Sequence, residues 1–330
     1  MTKSGVWKAF EQPKYRAMYN QRQKLEQLIF AAKSKATVAK YSLYWRKYQR
    51  WARKWDLKTE MPIQSTEVCL YIAEVADSCT SISSLNAHIY AIKWAHSVCG
   101  VEDPTKADTV VLAAEGARRS MAKASRVKLP FPTETVEKIC SRFGADGSTL
   151  RELRFALMCA LAFLGFFRIS ELLSLRLRDV SLQGNLVKIR ITRSKTDVHG
   201  KGADVLINGR GSIDIGHILQ MYIVQANIQD ESDFLFRKID VKGRLNPENK
   251  PMIYSRARFE LRFYLQKLGL DPVLYGWHGF RHGGATAASK KGVSHRLIKQ
   301  HGRWKSESAK NIYIHESQAD FLSVTNAINP

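Results

Sequence analysis

Between Lys123 and Pro132 the chain carries Lys123, Arg126 and Lys128 and then two prolines, Pro130 and Pro132. Proline has no amide hydrogen to donate and its ring collides with the preceding helical turn, so no helix runs through this stretch. The stretch predicts a linker over 123–132 that separates a first domain, 1–122, from a second, 133–330. A chain of 330 residues is long enough for two such domains.

Ahead of the break the pattern is helical. After a basic, loose start, Tyr15 to Lys33 is helix-prone, and Ser34 is placed to cap a second helix from Ala36 to about Trp55. In that helix Val38, Tyr41, Tyr44, Trp45, Tyr48, Trp51 and Ala52 recur at steps of three and four, with Lys40, Arg46, Lys47, Arg50, Arg53 and Lys54 beside them. The aromatic stripe reads as core, and the cations are the better candidates for phosphate contact. Helices are expected at about Ser65–Ala76, Ser81–Cys99 and Pro104–Ala122, the last opened by Asp103-Pro104, a cap and first-turn pair.

Behind the break the periods mix. Helical patterns at Thr133–Arg142 and Leu150–Phe166 precede Leu186–Ile191, whose alternation predicts a strand, with Ala203–Ile207 as its partner and Thr196–Gly202 as the turn. Helical patterns return at about Ile213–Ala226, Ser255–Leu268, Gly279–Lys291, Ser294–Gln300, Ser306–Ile314 and Gln318–Ala327. Glycine, proline and charge over Lys238–Pro251 suggest an exposed insertion. The expected fold class is multidomain and mainly α, an all-α first domain followed by a mixed α+β second domain with a small antiparallel sheet.

Charge narrows the partners. Lys and Arg number 52 against 30 Asp and Glu, a net charge of +22 and a pI near 9.9. Residues 1–130 hold 22 basic and 11 acidic side chains, so both halves are cationic and both are expected to meet one nucleic acid. Cys69, Cys79, Cys99, Cys140 and Cys159 are odd in number and lack a Cys-x-x-Cys pair, which suits reduced thiols in an intracellular protein. Residues 1–20 are polar and basic, unlike a secretory leader, and the longest apolar run, Phe155–Phe167, is 13 residues, too short for a membrane span. The sequence has no phosphate-cradling Gly-x-x-x-x-Gly-Lys-[Ser/Thr] loop and no His-Glu-x-x-His or carboxylate cluster near its basic motifs, so neither nucleotide nor metal is expected as cofactor.

The chemistry concentrates near the C-terminus, in His278-Gly279-Phe280-Arg281, Gly302-Arg303-Trp304 and Tyr313. A tyrosine hydroxyl, with a pKa of about 10, is a poor nucleophile at neutral pH. Attack on a phosphodiester by tyrosine therefore needs cations where negative charge develops, and arginine and histidine supply them. Together with Arg168-x-x-Glu171 and Lys195 upstream, this order resembles the active-site signature of the tyrosine recombinases, the superfamily of phage integrases and the Xer and Cre enzymes. Arg168 to Lys195 is 27 residues, Arg281 to Trp304 is 23 and Trp304 to Tyr313 is nine, all close to the family spacings. The resemblance spans most of residues 34–327.

The resemblance implies a helical core-binding (SAM-like) domain ahead of a catalytic domain, acting together as a site-specific recombinase or integrase on double-stranded DNA. Tyr313 would be the nucleophile, forming a 3′-phosphotyrosyl bond and freeing a 5′-hydroxyl without metal, ATP or other cofactor. Arg168 and Arg281 would grip the scissile phosphate, Lys195 would be general acid for the leaving oxygen, and His278 would assist proton transfer. Trp304 occupies a position where the family has histidine or tryptophan, and Glu171 would orient a neighbouring cation. The family also implies a monomer in free solution, a homotetramer on synapsed sites and no membrane, located with DNA in the nucleus or nucleoid. Phe321, Val324 and Ile328 near the C-terminus recur at helical spacing, a stripe that must pack either back on its own catalytic domain or, as the resemblance implies, on a neighbouring protomer.

Rivals exist at several positions. Lys188 and Lys201 compete with Lys195, Tyr254, Tyr264 and Tyr275 with Tyr313, and His301 with Trp304. Two other functions share the pattern: a type IB topoisomerase, and a recombinase-derived DNA-binding protein that no longer cleaves.

Overall fold

The computed structural model describes residues 4–57, 59–122, 128–192, 201–314 and 322. The chain divides into two compact units, Met1–Ser125 and Arg126–Pro330.

The described part of the first unit is helical: α1 (Val6–Ala9), α2 (Tyr19–Ala31), α3 (Lys35–Lys54), α4 (Ser65–Ser78), α5 (Ile82–Cys99) and α6 (Asp108–Ser120). Ser34 caps α3, its hydroxyl accepting from the Thr37 amide at 3.2 Å, so the start of this helix lies where the cap motif places it. Trp45, Tyr48, Trp51 and Ala52 are buried, and Lys40, Arg46, Lys47, Arg50, Arg53 and Lys54 are exposed. The aromatics meet α4, with Tyr48 and Tyr71 rings 5.1 Å apart, and each buried ring adds on the order of 2 kcal/mol by leaving water. α5 packs on α3 and α6 on α4. His96, within α5, is a structural histidine: its Nε2 accepts from the Ile63 amide at 3.1 Å and burial lowers its pKa.

Three helices of the first unit differ from expectation, the first being α1, which stands with Trp7 fully buried in the stretch read as a loose start. Residues 13–18 form a 3-10 turn and α2 begins only at Tyr19. Asp103 does cap, its carboxylate accepting from the Thr105 amide at 3.0 Å, but it caps a single 3-10 turn, Pro104–Lys106. Ala107 then takes an extended conformation (φ −61°, ψ 137°), which interrupts the helical run, and α6 starts at Asp108.

The second unit is built around α8 (Leu150–Leu164), which lies against α7 (Thr133–Phe143), α10 (Ile215–Ala226) and α12 (Trp277–Lys290). Every residue from Leu153 to Phe163 of α8 is buried, and Thr149 with Glu152 forms a capping box at its start. Phe131 is also buried in this core, stacked on Phe280 at 3.9 Å, so the chain from Lys128 onward packs on the second unit. Among the described residues the other named α-helices of this unit are α9 (Ile169–Leu172), α11 (Tyr254–Lys267), α13 (His295–His301) and α14 (Glu307–Asn311).

A three-stranded antiparallel sheet runs in the order β1 (Val180–Gln183), β2 (Leu186–Ile191), β3 (Ala203–Asn208). Val187, Ile189 and Ile191 face the core, while Lys188 and Arg190 on the other face pair with Asp204 at 3.2 and 3.0 Å. β2 and β3 lie where alternation predicts them. β1 and α9 escape the sequence reading because each has only four residues, too few to show a period. The insertion over 238–251 is largely exposed, as expected, and held by isolated bridges such as Arg237 with Pro251. The turn Thr196–Gly202 lies outside the described residues except for Lys201 and Gly202, and Gln318–Ala327 lies outside them except for Leu322. Among the described residues no helix is long and apolar enough to cross a membrane.

Candidate active site

α8 ends at Leu164, and the chain reverses through Gly165 and Phe166, whose φ of 49° is left-handed. The reversal delivers Arg168 to the N-cap of α9, where Glu171 accepts from the Arg168 amide at 2.9 Å and from its guanidinium at 2.7 Å. The Glu171 side chain is 1% exposed and the Arg168 side chain 14%. Burial alone would raise the carboxyl pKa, but Arg303 first and Arg168 next override it and hold it below the usual 4.5. Glu171 thus orients Arg168 as an ionised anchor.

Arg281 projects from α12 and is fully buried. One of its guanidinium nitrogens donates to the Gly302 carbonyl at 2.6 Å and another to the Phe166 carbonyl. Its guanidinium lies 4.5 Å from the Trp304 ring centre and 5.0 Å from that of Tyr313, within the range of cation–π attraction. Burial, then the neighbouring Arg168 and Arg303, lower its pKa to about 9. It is therefore still charged at neutral pH, in a cluster of three arginines of which Arg168 and Arg303 pair with Glu171. Such an excess of buried positive charge favours an anion.

Close approach of α12 to its surroundings makes this possible. A Cβ on Gly283 would stand 2.0 Å from the Phe131 carbonyl oxygen, and one on Gly284 2.2 Å from that of Phe163. Gly283 lets α12 press against the Phe131 segment and Gly284 lets it press against the end of α8, which sets Arg281 beside the Phe166 turn.

Tyr313 lies beyond α14, which is shorter than the expected Ser306–Ile314: it stops at Asn311, and the Tyr313 amide closes a tight turn onto the Lys310 carbonyl at 2.8 Å. The half-buried phenol sits among Trp304 at 5.0 Å, Arg281, and the ring of His282 at 4.4 Å. Trp304 packs also on Phe166 at 6.0 Å. The Tyr313 backbone carbonyl accepts from the Thr286 hydroxyl at 3.4 Å.

The structure thus brings together Arg168, Glu171, Arg281, Trp304 and Tyr313. Lys195 lies outside the described residues. His278 is exposed on the first turn of α12, one turn from Arg281, and lines a basic hollow of about 460 Å³ with Lys128, Arg258 and Arg262. The histidine against Tyr313 is His282. Its only sequence cue is adjacency to Arg281. His301, the rival to Trp304, bonds the Leu164 carbonyl at 2.8 Å and is a half-buried, structural histidine whose pKa burial lowers. Tyr264 is buried against Phe155, and Tyr275 stacks on Phe131 at 4.6 Å. Arg303, named in the Gly302-Arg303-Trp304 motif but given no role there, pairs with Glu171 at 3.1 Å. Among the described residues no group of three or more His, Cys, Asp and Glu side chains is arranged to hold a metal ion.

Residues 134–320 match the phage integrase family model. The chain belongs to the phage integrase family. It is a tyrosine-type site-specific recombinase by family. An integrase/recombinase XerD homolog of Selenomonas ruminantium is 26% identical over 315 residues, covering 94% of this chain and 90% of that protein. In fold the recombinase resembles XerH site-specific recombinase bound to palindromic difH substrate in a post-cleavage complex, with a TM-score of 0.63 at 14% identity, over 89% of this chain and 80% of that one. It also resembles a lambda integrase dimer bound to a COC′ core site, with a TM-score of 0.58 at 15% identity, over 89% of this chain and 75% of the other.

Proposed function

We propose that the protein cleaves and rejoins double-stranded DNA at specific sites through a covalent bond to Tyr313. The observation that carries this is the placement of the Tyr313 phenol against the buried Arg281 guanidinium, in a cluster that also holds Arg168 ionically fixed by Glu171. The net charge of +22 and the DNA held by XerH and lambda integrase in their complexes support DNA as the substrate.

In this reading the Tyr313 oxygen attacks the scissile phosphorus, the bond from phosphorus to the 5′-oxygen breaks, and the 3′ end stays on the enzyme. The phenolic proton leaves with help from a histidine of α12, His278 in the family pattern or His282, whose ring lies 4.4 Å from that of Tyr313, and the 5′-oxygen takes a proton from Lys195. Arg168 and Arg281 neutralise the non-bridging oxygens, a task for planar, permanently charged groups. Trp304 cannot shuttle a proton and instead packs Tyr313 and Arg281 together. The reverse attack by a 5′-hydroxyl from a second duplex completes exchange, so the energy of the phosphodiester is conserved and neither ATP nor metal is needed.

Exchange between duplexes needs protomers on two sites, and we place a homotetramer there, assembled from monomers on DNA. An apolar cavity of about 660 Å³ lined by Phe163, Phe166, Leu206, Ala288, Leu297 and Ile298 suits the apolar C-terminal stripe of a neighbour.

The test is strand exchange between two labelled duplexes carrying candidate sites, such as repeats flanking the gene, with EDTA present. Hybrid duplexes are expected. A strict magnesium requirement would contradict the mechanism, and relaxation of supercoiled DNA without hybrids would favour topoisomerase chemistry.

A further inference from the structure

Arg303 stands immediately before Trp304 with a φ of 58°, a left-handed conformation that side chains beyond glycine rarely adopt. Its side chain is 10% exposed and its guanidinium is saturated along one edge. Nη1 donates to the carbonyls of Gly165 at 3.0 Å and His301 at 2.9 Å, while Nη2 donates to the Phe166 carbonyl at 2.9 Å and to Glu171 Oε2 at 3.1 Å. Phe166 is itself left-handed, and its carbonyl also accepts from Arg281. Two strained turns that are 137 residues apart in sequence are therefore joined through one side chain.

Two of these partners, Glu171 and the Phe166 carbonyl, support the phosphate-gripping arginines. Glu171 fixes Arg168, the Phe166 carbonyl fixes Arg281, and the Arg303 backbone leads directly into Trp304. A left-handed arginine persists where its surroundings over-determine it, and a guanidinium supplies the rigid fork that lysine lacks.

We propose that Arg303 is a positioning residue that sets the geometry of Arg168 and Arg281 toward the scissile phosphate, without touching the DNA itself. The proposal rests on the Tyr313 cleavage reading. Loss of Arg303 would leave Glu171 bonded to Arg168 alone and the Phe166 turn tied to the 302–304 turn by Arg281 alone, the residue whose own position is then unsupported. Both grips would then be displaced from the oxygens they serve, and misplacement of a preorganised charge is felt in the transition state far more than in binding.

The test uses the full chain with Arg303→Gly, which accepts a φ of 58° freely, and Arg303→Lys, which keeps the charge without the fork. Single-turnover cleavage is measured on a nicked duplex with an ordinary scissile phosphodiester and on one with a neutral methylphosphonate there. On the phosphodiester Arg303→Gly is expected to cleave roughly thirtyfold or more slowly, with DNA affinity unchanged, and Arg303→Lys to recover only part of the rate. On the methylphosphonate the gap between wild type and either variant is expected to shrink to a few-fold, because the charge the arginines grip is gone, as in a double-mutant cycle. Should Arg303→Gly fail to fold, the ratio of the two substrates for Arg303→Lys carries the same test.

Equal losses on both substrates would reduce Arg303 to a folding role and overturn the proposal, as would cleavage by Arg303→Gly within threefold of wild type. An inert wild type would instead refute the Tyr313 reading, and the positioning role would fall with it.

Discussion

Glu171 is the anion on which the site turns, since two arginines share it in a nearly dry setting. Replacing it by glutamine leaves two buried guanidinium groups short of charge, and Glu171→Gln is expected to cost about 3 kcal/mol at pH 7, read from a denaturant midpoint. The pH dependence has a definite sign. The folded pKa lies below the usual value, so the stabilisation is complete above the unfolded pKa and is lost as pH falls through the folded one. The stability gap between wild type and Glu171→Gln should therefore close below about pH 4, and a gap independent of pH would contradict the ion-pair account. For Arg168→Ala and Arg281→Ala, cleavage is expected to fall by roughly a hundredfold or more, and near-normal single-turnover rates would remove them from the site. The order and spacing of Arg168, Glu171, Arg281, Trp304 and Tyr313 made these residues legible in the sequence. The roles of Arg303 and His282 were not, because their meaning lies in contacts: Arg303 reaches partners more than 130 residues away, and His282 is distinguished only by facing Tyr313.

Among the elements, the cap at Ser34, the alternation of β2 and the apolar length of α8 could be read directly, because each is a local rule expressed over a whole element. The interruption at Ala107 and the early end of α14 could not, since both follow from how short segments close onto their neighbours. The same limit hid the close packing of α12. Its glycines look like poor helix formers in isolation, and only the carbonyls of Phe131 and Phe163 explain them. Gly284→Ala is expected to destabilise the fold by about 2 kcal/mol or more through overpacking, measured by thermal or denaturant unfolding. An unchanged midpoint would show that α12 can retreat from α8 without cost. Ser34→Ala, which removes only a cap, should cost about 1 kcal/mol.

At the scale of the whole molecule, the proposed assembly and chemistry both depend on how a strongly cationic chain meets DNA. With a net charge of +22, affinity for duplex DNA is expected to fall steeply as salt rises, because phosphate neutralisation releases counterions; an affinity flat in salt would contradict it. Truncation after Glu316 removes the apolar C-terminal stripe, and it should spare DNA binding and most single-site cleavage while abolishing synapsis and recombination. Normal recombination by the truncated chain would contradict the docking proposal. Two units were foreseeable from the prolines and the change of period, but the start of the second was not, since Phe131 lies between two prolines and still enters the core of that unit. The most direct test of the account is to trap the protein on nicked duplex DNA in EDTA, denature and digest it, and map the DNA-bearing peptide by mass spectrometry. The expected result is DNA attached through Tyr313 and no adduct from Tyr313→Phe that still binds DNA; an adduct on another residue, or one that survives Tyr313→Phe, would contradict it.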